Sequence, residues 1–366
     1  MTPSLLVITN MGPKPSAPYQ GQFVKNQVDA LADFDPDYFF MRWNNDSRLN
    51  RLFKYPVLWL HFIWQAVLNR RRFDILHVHY FYPTIWLALT YRWLRNPKAK
   101  IIVTFHGSDI YLYQPESRWY KWAAAHIDYA IFTSAALKAR FFRQDIASEV
   151  LPAGIHASFA ECAPMDMQQK TYDLLYVGTM DKNKGMDRLQ LLLERMPHLK
   201  VALVGHGPMR PQLEKLAATQ PNIQLFDPVG PEALRDFYQK SRLFLSLSRN
   251  ESFGLVMTEA MACYTPVVAT DTDGARAQLN TVWPRHAKTI QDVMYAATPP
   301  ENCEVNGFRV SQHDEAQCLL SLQTAIQQLL SLPEQDYRQL QMTGRASAEP
   351  FFVTTIADRL RQLYRQ

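Results

Sequence analysis

Metal-binding and redox cysteine patterns are missing from this chain. Its four cysteines, Cys162, Cys263, Cys303 and Cys318, show no CxxC or CxxH spacing, so neither a zinc site nor a disulfide framework is expected, and reduced structural thiols are. Low-complexity tracts and fixed-period repeats are also absent, which speaks against disordered tails and solenoids. No basic segment precedes the first apolar run, Ser4 to Thr9, so that run reads as a strand rather than a signal peptide, and a cytoplasmic location is expected. The apolar stretch Tyr55 to Trp64 is about ten residues long, half of the roughly 20 that span a bilayer. Nothing resembles a motif that reads RNA or DNA, so nucleic acid is not an expected partner.

What is present is a globular composition, 47% hydrophobic and 20% charged over 366 residues, long enough for two domains with separate cores. The net charge of +5 is unevenly spread: residues 1–160 hold 18 Lys or Arg against 11 Asp or Glu, and the remainder is slightly acidic. A basic first half suits an acidic ligand or an anionic membrane surface.

Short apolar runs alternate with amphipathic ones, the pattern of parallel strands joined by crossover helices, and hence an α/β fold. The first half predicts strands at Leu5–Thr9, Tyr38–Arg42, Ile75–His79, Ile101–Phe105 and Tyr129–Thr133. The second starts again after Gly154, with strands at Leu174–Gly178, Val201–Gly205, Ile223–Phe226, Leu243–Leu247 and Pro266–Thr270. Two doubly wound, Rossmann-like domains follow, and in such sheets ligands bind beyond the carboxyl ends of the strands.

The segment Arg249-Asn250-Glu251-Ser252-Phe253-Gly254-Leu255 leaves a strand and, from Gly254 on, becomes helical. A glycine at a helix start lets phosphate approach unpaired backbone N–H groups at the positive end of the helix dipole. Glu251 falls in the loop and Glu259 five residues beyond Gly254, about 7 Å further along the axis; carboxylates at these places suit a sugar and a ribose, although a solvated loop glutamate is the ordinary alternative. A second strand-to-glycine turn, Val177 to Gly185, offers Lys184 as the point charge for a departing diphosphate, with Lys182 in competition. Gly205 repeats the theme without the third glycine of a dinucleotide fingerprint. In the first half, His106 ends a strand where it can donate to a sugar hydroxyl or to developing charge, its pKa leaving it adaptable near neutrality. Asp109 suits a turn cap. His77 and His79 share one face of a strand, a packing arrangement rather than a metal site.

Together these segments resemble the retaining glycosyltransferase family 4, of the GT-B fold, over nearly the whole chain. The most specific part is Glu251-x7-Glu259 enclosing Phe253-Gly254-Leu255, supported by Pro18 to Val24, His77-Val78-His79, Thr104 to Asp109 and Lys184-Gly185. The resemblance implies a GT-B architecture with an interdomain cleft: residues 1–160 on the acceptor side, 161–345 binding the donor, and 346–366 a terminal helix returning to the first domain. It implies that Lys184 contacts the donor diphosphate, Glu259 the ribose, and Glu251 with the backbone of Phe253, Gly254 and Leu255 the transferred sugar. Gly21 would lie near the phosphates and His106 nearest the reacting centre. The leaving diphosphate itself would accept the proton.

Departures from the family pattern bear on the sugar pocket. Thr179 stands where a diphosphate-binding arginine is common, and Tyr264 and Asp273 replace glycines. Asp271-Thr272-Asp273 spells a metal-binding motif of another transferase fold, but a cation would compete with Lys184, so no metal and no cofactor is expected beyond a UDP- or GDP-sugar as co-substrate. Arg48, Arg51, Lys54 and Arg70 to Arg72 flank the Tyr55–Trp64 run, which suits either a peripheral contact on the inner face of the cytoplasmic membrane or a buried crossover helix. The expected activity is transfer of a hexose-type sugar to a surface-polysaccharide, lipopolysaccharide or glycolipid acceptor, saccharide or lipid-linked. The alternatives are a non-hydrolysing nucleotide-sugar epimerase and, given Thr179, an inactive nucleotide- or carbohydrate-binding module.

Overall fold

A computed structural model describes residues 3–13, 18–41, 48–283 and 304–366; Cys303 and the side chains of residues 48–52, including Arg48 and Arg51, lie outside the described part. The chain divides into two compact units, Met1–Gly154 with Val353–Gln366, and Ile155–Phe352. The divisions thus fall six or seven residues from positions 160 and 345.

The first unit runs β1 (Leu5–Thr9), α1 (Gln22–Ala30), β2 (Asp37–Phe40), α2 (Arg48–Phe62), β3 (Ile75–His79), α3 (Phe81–Leu94), β4 (Lys100–Phe105), α4 (Ser108–Tyr111), α5 (Arg118–Ala124), β5 (Tyr129–Phe132), α6 (Ala135–Arg140) and β6 (Ser148–Val150). The strands form one parallel sheet in the order β2-β1-β3-β4-β5-β6. Every residue of β1 and β3 is buried, as a parallel sheet covered on both faces requires. Side-chain alternation divides the strands between two cores: Leu6, Ile8, Leu76 and Val103 face α2, α3 and α5, and Leu5, Val7, Ile75 and Ile102 face α1 and the C-terminal helix Val353–Tyr364. That helix is tied in by polar contacts as well. Tyr364 Oη lies 2.5 Å from His77 Nδ1, and His77 Nε2 lies 2.7 Å from Thr104 Oγ1, so His77 is a satisfied core histidine.

The second unit runs β7 (Tyr172–Val177), α7 (Met186–Arg195), β8 (Val201–Val204), α8 (Arg210–Thr219), β9 (Ile223–Phe226), α9 (Pro231–Gln239), β10 (Ser241–Ser246), α10 (Leu255–Ala262), β11 (Val267–Thr270), α11 (Asp273–Gln278), β12 (Thr281–Trp283), β13 (Phe308–Val310), α12 (Glu315–Leu330) and α13 (Glu334–Ala348). Its sheet is parallel, in the order β12-β13-β11-β10-β7-β8-β9. The chain winds outward from β7 through β8 and β9, then restarts at β10 on the other side, so the switch point lies between β7 and β10. The loops leaving those two adjacent strands therefore diverge and leave a crevice at their carboxyl ends. Cys162, Cys263 and Cys318 are buried and unbridged.

Candidate active site

The two loops that flank the switch point of the second unit are the two that carry the expected donor-binding residues. After β7, the chain turns through Gly178 and Thr179, and Tyr176 donates its hydroxyl to the Thr179 carbonyl at 2.8 Å to hold the turn. Asp181 then accepts the Lys184 N–H at 2.8 Å, which brings Lys184 back over the sheet just before α7. Lys184 is half-buried and Lys182 exposed. After β10, Arg249 binds Asp187 through two nitrogens at 2.8 and 2.9 Å, and its backbone N–H donates to the Asn183 carbonyl at 2.7 Å. The two loops are thereby laced together, and Lys184 Nζ meets Glu251 Oε2 at 2.5 Å.

Beyond Glu251 the backbone is held from below by α11. Gly274 N–H donates to the Glu251 carbonyl at 2.8 Å, and Gln278 Nε2 to the Phe253 carbonyl at 2.5 Å. A trans peptide points its N–H opposite to its carbonyl, so the Gly254 N–H is aimed away from α11. Gly254 adopts φ 80° as the N-cap of α10, with no side chain capping the helix. A residue with a Cβ is strained at that angle, and the uncapped first turn presents its N–H groups and the positive end of the dipole where Lys184 also stands. Phe253 itself turns inward, buried against Phe351, so what it offers outward is its backbone. The arrangement can hold a doubly charged oxyanion beside a carboxylate whose own charge the ammonium balances.

Glu259 lies one turn further along α10, half-buried, and accepts from the Tyr238 hydroxyl at 2.8 Å. Burial pushes its carboxyl up to about 7, against the lowering effect of that hydrogen bond. Thr179 is exposed and brings no guanidinium to the turn. Gly205 packs so closely under Gly178 that a Cβ there would stand 1.9 Å from the Gly178 carbonyl oxygen; it shapes the turn from beneath. Asp271 is gripped by Arg276, at 3.0 and 2.8 Å, and by Arg309 at 2.8 Å. Among the described residues no group of three His, Cys, Asp or Glu side chains is placed to hold a metal.

In the first unit, Gly21 caps α1 with φ 72° beside the loop that follows β1, and His106 follows β4. His106 Nε2 lies 3.1 Å from His79 Nδ1, and its ring stacks on Tyr80 at 4.4 Å. Asp109 does more than cap a turn: its carboxylate accepts from the N–H groups of His106, Gly107 and Phe81, fixing the His106 loop to the start of α3. Burial pushes the His106 pKa down to about 3, a direction opposite to the near-neutral titration expected from the sequence.

Three residues that organise the site were not singled out from the sequence: Arg249, Gln278 and Tyr238. Each works through a partner 20 or more residues away in the chain, and no local pattern announces such a pairing.

A family profile described as "Glycosyltransferase Family 4" matches residues 25–159, and one described as "Glycosyl transferases group 1" matches residues 164–281. The chain belongs to the group 1, family 4 glycosyltransferases. Among curated relatives of this glycosyltransferase, the sulfoquinovosyl transferase SQD2 of Arabidopsis thaliana is 24% identical over 253 residues, 69% of this chain and 44% of that protein. A phosphatidyl-myo-inositol mannosyltransferase of Mycobacterium tuberculosis is 36% identical over 144 residues, 35% of this chain and 36% of that protein. The aligned parts therefore span less than half the length of these relatives. Of solved structures, a sucrose-phosphate synthase from Thermosynechococcus elongatus superposes with a TM-score of 0.72 at 21% identity, covering 99% of this chain and 98% of the other. HepE of Anabaena, in complex with UDP and glucose, gives 0.68 at 15% identity over 98% and 99%. These likenesses establish the GT-B fold.

Proposed function

We propose that this glycosyltransferase moves a hexose-type sugar from a UDP- or GDP-sugar to a surface-polysaccharide, lipopolysaccharide or glycolipid acceptor, with retention of anomeric configuration and without a metal. The observation that carries the reading is the convergence of the Lys184 ammonium, the Glu251 carboxylate and the uncapped N-terminus of α10 at the switch point of one sheet. Charge grows on the diphosphate as the glycosidic bond to it breaks, and a fixed ammonium with oriented N–H groups stabilises that charge without reorganising. Glu251 would hold the sugar hydroxyls and Glu259 the ribose. His106, neutral, would donate a hydrogen bond to the sugar rather than a proton. The leaving diphosphate would take the acceptor's proton on the same face, so that no side-chain base is needed. The relatives named above act, by their names, on a sulfoquinovosyl group and a phosphatidyl-inositol acceptor, which supports a glycolipid or another lipid-linked acceptor reached at a membrane surface.

A thermal-shift panel of UDP-, GDP- and ADP-sugars, followed by turnover assays in EDTA with the stabilising donor, tests this. Donor-dependent stabilisation by mass action and turnover that persists in EDTA are expected. Turnover should fall at least 100-fold, by about 2.7 kcal/mol or more, in both Lys184→Ala and Glu251→Ala. Exposed Thr179, in place of a guanidinium, favours a second reading, a binding module without activity: donor binding with no turnover in wild type would establish it. Epimerised donor formed with no acceptor present would point to the epimerase instead.

A further inference from the structure

Helix α2 and the turn of π-helix that continues it, Ile63–Val67, are apolar on two sides. Leu58, Phe62 and Ala66 turn inward onto the sheet, and folding requires only that stripe. Leu60, Trp64 and Leu68 turn outward at the same four-residue spacing and are 68%, 75% and 66% exposed. Helices α3 and α5, in the same layer over the same core, also expose large apolar side chains, Trp93, Trp119 and Trp122. The Trp122 ring stacks on Trp86 at 5.6 Å and lies 5.7 Å from Trp93, so these rings are braced in place. Among the described residues, all four exposed tryptophans belong to this layer. Exposed large apolar side chains gathered on one helical layer mark an interaction site.

Charge selects the occupant. Among the described side chains, α2, α3 and α5 carry Lys54, Arg92, Arg118 and Lys121 and no Asp or Glu. A second copy of the chain would bring the same positive surface and be repelled, whereas anionic headgroups are attracted. Tryptophan, with an apolar body and a polar N–H, settles at the headgroup boundary. Among the described residues no helix is long and apolar enough to cross a membrane, so the contact is one that lies along the surface. The Arg70–Arg72 cluster is not its centre, because Arg71 is already held at 3.0 Å by both Asp35 and Asp37.

We propose that the outer face of α2, α3 and α5 seats the enzyme on an anionic bilayer, with Leu60, Trp64, Leu68 and Trp119 entering the headgroup–acyl boundary. This inference rests on the membrane-proximal part of the functional reading and deepens it; the donor chemistry is independent of it. The test is sedimentation of the full chain with phosphatidylcholine vesicles and with vesicles containing phosphatidylglycerol, for wild type and for the double variant Trp64→Ser, Trp119→Ser. Wild type is expected to sediment with the anionic vesicles, less so as salt is raised, and the double variant to partition at least roughly tenfold more weakly. Both side chains are exposed, so the variant should keep the wild-type melting temperature and its shift with nucleotide sugar. A lost shift would implicate the donor site, and a retained shift isolates the surface. Unchanged vesicle binding by the variant, no binding by wild type, or a concentration-dependent dimer that the variant abolishes would each overturn the proposal.

Discussion

Glu259 shows how one residue can couple a candidate ribose contact to stability. Its folded carboxyl stands at about 7, above the ordinary 4.5, because burial penalises the charge more than the Tyr238 hydrogen bond favours it. A folded state that holds its proton more tightly than the unfolded chain is favoured at low pH, and that advantage is lost as pH rises from about 4.5 through about 7. Asp109, raised to about 6 by burial, adds a similar component at lower pH, so the informative quantity is the difference between wild type and Glu259→Gln. Urea denaturation at pH 5 and pH 8 should show wild type losing about 2 kcal/mol more than the variant over that interval. An identical loss in both proteins would mean that the Glu259 carboxyl titrates as it would in water.

At the scale of elements, the site depends on α11 gripping the loop before α10. Gln278 is buried, donates to the Phe253 carbonyl and accepts from Thr258 Oγ1 at 2.6 Å. Replacing it with leucine leaves a buried carbonyl and a buried hydroxyl without partners, at about 1–3 kcal/mol each, and frees the peptide that aims the Gly254 N–H. Gln278→Leu should therefore lower the melting temperature and weaken donor-dependent stabilisation roughly tenfold in apparent affinity; an unchanged donor affinity in a destabilised protein would reduce Gln278 to a packing role. None of this was legible beforehand, whereas Lys184, Glu251 and Gly254 were, because strand-then-glycine turns and a helix start are local patterns. The same contrast governs the strands. Leu5–Thr9, Ile75–His79 and Ile223–Phe226 lie where the apolar runs place them, while Ser148–Val150, Thr281–Trp283 and Phe308–Val310 are three-residue strands at or near sheet edges, too short to show a period. Helix α2 was open between core and surface because it carries one apolar stripe that is buried and another that is exposed, which a count of apolar residues cannot separate.

For the molecule as a whole, the consequential feature is that the first unit is assembled from both ends of the chain. Val353, Ile356, Ala357, Leu360, Leu363 and Tyr364 are buried, most of them against Leu5, Val7, Ile75 and Ile102 on the face of the first sheet away from α2, α3 and α5. Arg361 adds hydrogen bonds to Asp33 at 2.9 Å and to the Ala30 carbonyl at 2.6 Å, and Arg359 one to Glu149 at 2.7 Å. Burying one aliphatic side chain contributes about 1.5–3 kcal/mol, so Val353, Ile356, Leu360 and Leu363 alone rival the 5–15 kcal/mol net stability typical of a domain. No residue of this helix belongs to the core of the second unit, which is built from β7 to β13, α7 to α13 and the flanking Ile155, Phe159, Met167 and Phe352. A chain ending at Phe352 should therefore unfold its first unit while the second stays folded and still binds the donor. Limited proteolysis read by mass spectrometry checks this: early cuts should concentrate between residues 18 and 150 in the truncated protein and be absent from wild type, with the donor still protecting the loops at 179–185 and 249–255. Cleavage spread evenly over both units would show that their folding is coupled and that the helix supports more than the sheet it covers.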